Sequence, residues 1–202
     1  MNTLTKDLQI LARLGSCIAL DKLSRVDTTI SKLKKAEIYP EKIYETILQS
    51  YLFCGFPAAI ESLKIFRQYY PKFPVKRTLY DTVKFKEAGI TNCKLVYKKN
   101  FKKLIENMNY YSPDLKEWMI IEGYGKVLGR SGLSLLDREY LNVSILVARF
   151  YENQLKSHLR GCLNLGATKD ELVFLLDRLK KTVGTKNIIR GKRLLREISV
   201  QR

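Results

Sequence analysis

Residues 134–168 read SLLDREYLNVSILVARFYENQLKSHLRGCLNLGAT, and this stretch decides the class of fold. The apolar residues at 141–147 are typical of a largely buried helix. Ser134, with Asp137 three residues later, forms a capping arrangement at the start of that helix. Gly166 is placed to end the following helix, because glycine accepts the left-handed backbone that closes many helices. The stretch therefore predicts two consecutive helices.

Apolar residues recur at helical spacing through most of the chain, and no segment alternates convincingly with a period of two. Pro113 follows a serine and opens another helix, at a first-turn position where its missing N–H costs nothing. The predicted fold class is therefore all-α. Further helical stripes occur at 8–19, 43–52 and 172–179.

The chain resembles itself at an offset of 129 residues. At this offset the turn at 39–43 aligns with 168–172, and Gly55 aligns with Gly184. Identity is sparse, but the turn positions and the phase of the apolar residues carry through. Each unit is too short to bury its own apolar faces, so we expect the two units to dock against each other.

The net charge of +17 comes from 37 Lys and Arg against 20 Asp and Glu, with one histidine. The excess lies in two segments, since 64–103 carries 12 basic and 2 acidic residues and 177–202 carries 9 and 2. Such an excess indicates a polyanionic partner or a highly charged surface. The first segment interleaves aromatic and basic residues, as protein surfaces that bind single-stranded nucleic acid do. We favour a connector, because Pro71, Pro74 and Gly89 interrupt the segment and no nucleic-acid motif accompanies it.

The second basic segment contains a predicted amphipathic helix at 180–202, which we expect to pack on the body or on a sister subunit. Adhesion to a membrane or to nucleic acid is the alternative. The predicted organisation is then a first helical unit at 1–63, a basic connector at 64–103, and a second unit with a basic C-terminal helix at 104–202.

The four cysteines never approach C-x-x-C spacing, which excludes a zinc-finger or thioredoxin-type site, and nothing indicates a secreted disulfide framework. No apolar run reaches the roughly 18 residues that span a bilayer. The first residues lack the layout of a signal peptide, so we expect a cytoplasmic protein. The glycines at 123, 125 and 129 do not form a dinucleotide fingerprint, and we interpret them as a loop between helices.

The runs GYGKVLGR at 123–130 and SHLRGCLNLGAT at 157–168 closely resemble the carboxymuconolactone decarboxylase family, within the superfamily that includes the AhpD alkylhydroperoxidases. The resemblance is strong over about 117–182. It is weaker over about 8–63, where IYETILQSYLFCGFPAAIESL at 43–63 resembles the segment after the family's histidine. It implies an AhpD-like all-helical fold with two repeated units, and assembly into trimers or hexamers.

Residue by residue, Glu139 and His158 match the family's acidic residue and its histidine. The peroxidase branch also needs two cysteines separated by two residues, and this chain has Tyr151 and Gln154 at those positions. Neither side chain forms a thiolate or a disulfide, so peroxide reduction by that route is excluded.

The first unit departs further from the family. The offset places Ile10 opposite Glu139 and Thr29 opposite His158. At most one catalytic constellation is therefore expected in the chain.

His158 and Glu139 suggest proton-transfer chemistry. Decarboxylation of a carboxylated unsaturated lactone leaves a carbanion or dienolate that must be protonated, and a histidine held by a carboxylate delivers such a proton. Tyr151 is a candidate for stabilising an oxyanion, and Arg149 or Arg160 is a candidate for binding the substrate carboxylate. The structural alternative is that Glu139 is a buried partner of Arg138 or Arg160 that organises the helix pair.

The resemblance therefore implies a homo-oligomeric, decarboxylase-like protein, which we expect to need no cofactor or metal and to act on a small carboxylated lactone or related acid. One alternative is a non-catalytic scaffold whose basic segments bind an anionic partner, with strongly salt-dependent retention on heparin. A second is residual peroxidase activity from Cys54 or Cys162, which requires an accessible thiol of low pKa.

Overall fold

A computed structural model of the chain describes residues 4–75 and 77–198, and this described part is helical without strands, which confirms the predicted fold class. Lys76 of the predicted connector and residues 199–202 of the predicted C-terminal helix lie outside it. A π-helical segment at Met119–Val127 joins α6 to the turn before α7. The α-helices are α1 (Lys6–Ala19), α2 (Leu23–Lys35), α3 (Pro40–Tyr69), α4 (Thr82–Tyr97), α5 (Phe101–Tyr111), α6 (Pro113–Trp118), α7 (Leu135–Arg149), α8 (Glu152–Asn164), α9 (Lys169–Val183) and α10 (Thr185–Glu197).

The helix bounds follow the predicted offset of 129. When α1 is shifted by 129 residues, it covers all of α7 except the last residue. The same shift makes both ends of α2 coincide with the ends of α8, and the first residue of α3 coincide with the first residue of α9. The helix breaks also correspond, because α3 is kinked at Gly55, and Gly184, 129 residues later, separates α9 from α10. Three pairs of residues with positive φ lie at the same offset: Gly55 and Gly184, Asp21 and Phe150, and Glu37 and Gly166.

The centre of the molecule is the contact between α1 and α7, one helix from each half. Ser16 Oγ donates a 2.9 Å hydrogen bond to the carbonyl oxygen of Ser144. A Cβ at Gly15 would lie only 3.0 Å from Ser144 Oγ, so the two helices approach closely because residue 15 is a glycine. The helices α2, α3, α8 and α9 pack around this pair, and a hydrophobic core joins the two halves.

The segment predicted as a connector is largely helical. Its first residues complete α3, and Gly89 lies inside α4 instead of interrupting the chain. The residues between α3 and α4 form the non-helical part, where Pro71 and Pro74 lie. Since α4 packs along the π-helical segment and against α8, this part of the chain forms one wall of the structure.

The interpretation of the glycines as a loop is wrong for Gly123 and Gly125, which lie within the π-helical segment. A Cβ at Gly125 would overlap the carbonyl oxygen of Phe85, and a Cβ at Gly89 would overlap that of Ile120. These two glycines therefore allow α4 and the π-helical segment to touch backbone to backbone.

The predicted C-terminal helix is broken at Gly184, whose φ is 100°. The apolar side of α10 is buried against α8 and α9, including Ile188 and Leu194. Much of its basic side is paired within the molecule, since Arg190 and Arg193 both bind Glu152. Among the described helices, none is long and apolar enough to cross a membrane.

Candidate active site

The two residues singled out as catalytic lie on helices that the local sequence orients. Ser134 and Asp137 form the predicted capping box that starts α7, one turn before Glu139. After α7 ends, Phe150 adopts a left-handed conformation (φ 55°), which reverses the chain so that α8 packs back along α7. His158 on α8 is thereby brought to the level of Glu139.

Glu139 and His158 are in direct contact. Nδ1 of His158 lies 2.7 Å from Oε2 of Glu139, and both side chains are buried, with His158 only 4% exposed. An ionised carboxylate can only accept hydrogen bonds, so Nδ1 carries the proton. Nε2 makes no hydrogen bond to any residue that the structure describes, and the edge of Phe53 packs on the imidazole with ring centroids 5.8 Å apart. Nε2 is thus the nitrogen left for chemistry.

Both oxygens of Glu139 are engaged, because Asn142 Nδ2 donates a 2.9 Å hydrogen bond to Oε1. Asn142 is held in turn by Gln49 on α3, whose Nε2 donates to Asn142 Oδ1 at 2.6 Å and to the carbonyl oxygen of Arg138 at 2.7 Å. Gln49 and Asn142 are fully buried. The Glu139–His158 pair of the second half is therefore oriented by a side chain from the first half.

A buried ion cluster supports this network from behind. Arg138, which is fully buried, donates to Gln49 Oε1 at 3.2 Å and to Glu45 Oε2 at 2.9 Å. Burial lowers the pKa of Arg138, and the Glu45 carboxylate opposes that shift. Arg130 also binds Glu45 through Nε, and this hydrogen bond raises the pKa of Arg130. Arg138 therefore pairs with Glu45, which leaves Glu139 to His158.

His158 lines a cavity of about 860 Å³ between α3, α8 and the π-helical segment. Tyr151 also lines it and is half exposed, and Glu139 lies behind the imidazole, so the structure brings these three predicted residues together. The described lining includes neither Arg149 nor Arg160. Arg149 is exposed and donates a 3.4 Å hydrogen bond to the carbonyl oxygen of Ala19.

Two tyrosines in the cavity wall were missed by the sequence reasoning. Tyr124 donates a 3.3 Å hydrogen bond to the hydroxyl of Tyr97, and both line the cavity. Burial raises the pKa of both hydroxyls, and the nearby negative charge of Glu139 raises it further. Neither residue gave a signal as a site residue, because Tyr124 lies between Gly123 and Gly125 in the predicted loop and Tyr97 lies near the end of the predicted connector. Both hydroxyls stay protonated at neutral pH. Because Tyr124 donates its proton to Tyr97, the hydroxyl of Tyr97 is the one left to donate to an oxyanion.

The first half keeps no equivalent pair. Ile10 and Thr29 occupy the offset positions of Glu139 and His158, as the sequence predicts, and Thr29 is buried. The offset positions of Asn142 and Gln49 hold Arg13 and Arg178. Among the described residues, no group of three or more His, Cys, Asp or Glu side chains is placed to hold a metal ion.

The cysteines lack the character of peroxidatic thiols. Burial raises the pKa of the Cys54 thiol to about 11, and it raises the pKa of the buried Cys162 well above the ordinary value. A reactive cysteine needs the opposite, an accessible thiol of lowered pKa. The geometry therefore argues against the second alternative, residual peroxidase activity.

Comparison with known proteins identifies a family that the chain resembles. The family model described as "Carboxymuconolactone decarboxylase family" matches residues 113–197. The 4-carboxymuconolactone decarboxylase of Acinetobacter baylyi is 30% identical over 96 residues, which cover 48% of this chain and 72% of that protein. The chain belongs to the carboxymuconolactone decarboxylase family. The predicted resemblance is thereby confirmed.

A second relative matches a longer part of the chain. Peroxisomal protein 2 of Schizosaccharomyces pombe is 29% identical over 163 residues, which cover 79% of this chain and 76% of that protein. A match of this length extends beyond either of the two predicted units. The match to this relative therefore includes residues from both predicted units of the chain.

Proposed function

We propose that the protein is a cofactor-free decarboxylase-like enzyme that transfers a proton to a small carboxylated lactone or related acid, with His158 as the acid/base and Glu139 as its partner. The observation that carries the proposal is the 2.7 Å contact between the two side chains, with the imidazole at the wall of a cavity. Family membership and the decarboxylase relative support it. Because folds host several chemistries, the reaction rests on the site and not on the fold.

The proposed reaction begins with the substrate's C–CO₂ bond. As CO₂ leaves, the bonding electron pair passes into the conjugated lactone as a dienolate. The imidazolium form of His158, protonated on both nitrogens, then delivers its Nε2 proton to carbon. The imidazole then regains a proton from water. Glu139 stabilises the charged imidazolium before that transfer and keeps the ring oriented.

The remaining roles follow from where the side chains lie. We assign oxyanion stabilisation to Tyr151, as in the sequence analysis, and extend it to Tyr97, whose hydroxyl lines the cavity and accepts a hydrogen bond from Tyr124. The roles of Arg149 and Arg160 in binding the substrate carboxylate stay predictions, which single replacement by glutamine tests through KM.

A thermal-shift screen tests the proposal without assuming a reaction. Carboxylated lactones and dicarboxylates are added to the wild type, to His158→Gln, and to Arg196→Gln, an exposed control on α10. We expect a compound that stabilises the wild type and the control and fails to stabilise His158→Gln. Compounds that shift all three proteins equally, or a screen with no shift, would contradict the proposal.

The scaffold alternative depends on free positive charge in the basic segments. In the second segment that charge is partly neutralised, since Lys192 binds Asp177 and Arg193 binds Glu152. This pairing favours the enzyme, and elution from heparin at low salt is the expected result. We also propose a homo-oligomer, trimeric or hexameric, located in the cytoplasm, which light scattering and cell fractionation test.

A further inference from the structure

Resting on the function proposed above, we propose that the substrate carries an extended apolar body, an aliphatic or aryl-alkyl chain, that fills the cavity while its single acidic end lies at His158. The cavity of about 860 Å³ stands near the upper end of the roughly 300–1,000 Å³ that ligand sites occupy. A small lactone acid would fill only part of it.

The wall of the cavity is mainly apolar. Aliphatic and aromatic side chains of α3 form one side, including Leu48, Leu52 and Leu63, and Met119 lies on the opposite side. Burying an alkyl chain against such a wall is favourable in proportion to the apolar area removed from water. The lining therefore selects a ligand by its apolar surface.

The mouth of the cavity is apolar as well. Phe56 is 68% exposed and Trp118 is 61% exposed, and Ile60, Leu115 and Tyr151 are each about half exposed. These side chains form one patch at the rim, where exposed apolar groups mark a binding site more often than chance. A chain that lies along the rim would cover them.

The polar groups of the wall provide for one acidic end only. Lys126 is the one Lys or Arg in the described lining, and its ammonium already binds the carboxylate of Glu122. The hydrogen bond to Lys126, acting against the effect of burial, lowers the pKa of Glu122, so the pair is ionised and mutually neutralised. Of the other polar side chains in the lining, His158, Tyr97 and Tyr124 lie near Glu139. Tyr51, Tyr151 and Gln154 carry no charge that could bind a carboxylate. A second carboxylate on the substrate would find no free cation there.

The single tryptophan of the chain makes this site directly observable, because Trp118 lies at the rim. Butanoate, octanoate and dodecanoate, each below its micelle concentration, are titrated while tryptophan emission is recorded. We expect a blue shift, with affinity increasing roughly two- to fourfold per added methylene. The absence of a blue shift, or equal affinity for all three acids, would overturn the inference.

Exposed rim residues give variants that should fold. Phe56→Ala is expected to weaken dodecanoate binding several-fold, and Ile189→Ala, a 60% exposed position on α10, is expected to leave it unchanged. Equal losses in both would overturn the inference. So would a wild-type dimer, detected by light scattering, in which Trp118 already emits from an apolar environment and dodecanoate changes nothing.

The inference and the proposed function fail separately. If affinity increases from octanoate to dodecanoate as expected while no carboxylated lactone is turned over, the apolar binding site is supported and the proposed reaction is refuted. If a small lactone acid is turned over and chain length brings no gain in affinity, the reaction stands and the apolar-bodied substrate is overturned.

Discussion

Gln49 on α3 donates a 2.6 Å hydrogen bond to Asn142 on α7, and this bond connects the first half of the chain to the Glu139–His158 pair in the second. The same pair of residues does not occur at the positions related by the offset of 129, because Arg178 corresponds to Gln49 and Arg13 corresponds to Asn142. One half thus supplies the orienting glutamine and the other supplies Glu139 and His158. The two halves therefore contribute complementary residues to one hydrogen-bond network.

Replacing Gln49 by methionine should destabilise the protein by about 1–3 kcal/mol, because two buried acceptors each lose a donor and the buried Arg138 guanidinium loses the acceptor Gln49 Oε1. The acceptors are Asn142 Oδ1 and the carbonyl oxygen of Arg138. Urea unfolding measures the change. Gln68→Met, at an exposed position on the same helix, is the control and should change stability little. Equal effects at 49 and 68 would show that the network contributes nothing.

The tautomer of His158 is measurable without assignment, because the chain contains one histidine. ¹⁵N NMR of the neutral imidazole should show the proton on Nδ1, where the Glu139 carboxylate accepts it. Glu139→Gln should increase the Nε2–H form, since an amide nitrogen can then face the ring. An unchanged tautomer in this variant would mean that Glu139 does not orient the imidazole.

The close packing of α4 on the π-helical segment predicts a contrast between neighbouring glycines. Gly125→Ala should destabilise the fold by about 1–3 kcal/mol or more, because the new Cβ would overlap the Phe85 carbonyl oxygen. Gly123→Ala meets nothing within 4 Å and should be neutral or stabilising by up to about 1 kcal/mol. Thermal unfolding of both variants gives the comparison, and similar losses would refute the packing described here.

Thiol alkylation tests the exclusion of peroxidase chemistry. With iodoacetamide near neutral pH, Cys54 should react far more slowly than the cysteines of the unfolded protein. Its rate should rise only as the pH approaches the raised pKa of about 11, since the thiolate is the reactive form. Fast labelling of Cys54 at pH 7 would revive the peroxidase alternative.

The helical fold was predictable from the sequence because its signals are local. The cap at Ser134 and the turn at Gly166 appear in the structure, and the helix bounds follow the offset of 129. The break at Gly184 interrupts a helix that was predicted to run through it. The region between the two units was harder. The glycine at 89 was read as an interruption, although it permits a backbone contact with Ile120 that only the tertiary structure reveals.

The site was predictable only in its centre. Glu139 and His158 were found through the family pattern, and the structure places them in contact. Gln49 and Tyr97 gave no signal, since a buried amide or hydroxyl becomes a site residue only through neighbours that are distant in sequence. Gln49 meets Asn142 across 93 positions.

The most direct test of the account is proton transfer by His158. 4-Carboxymuconolactone and an alkyl-substituted analogue are incubated in D₂O with the wild type, His158→Gln and Arg196→Gln, and the products are followed by NMR. The account predicts loss of CO₂ with one deuteron added at carbon, at equal rates in the wild type and Arg196→Gln, and a rate lowered by roughly 10²-fold or more in His158→Gln. No turnover of either compound by the wild type, or an unchanged rate in His158→Gln, would contradict it.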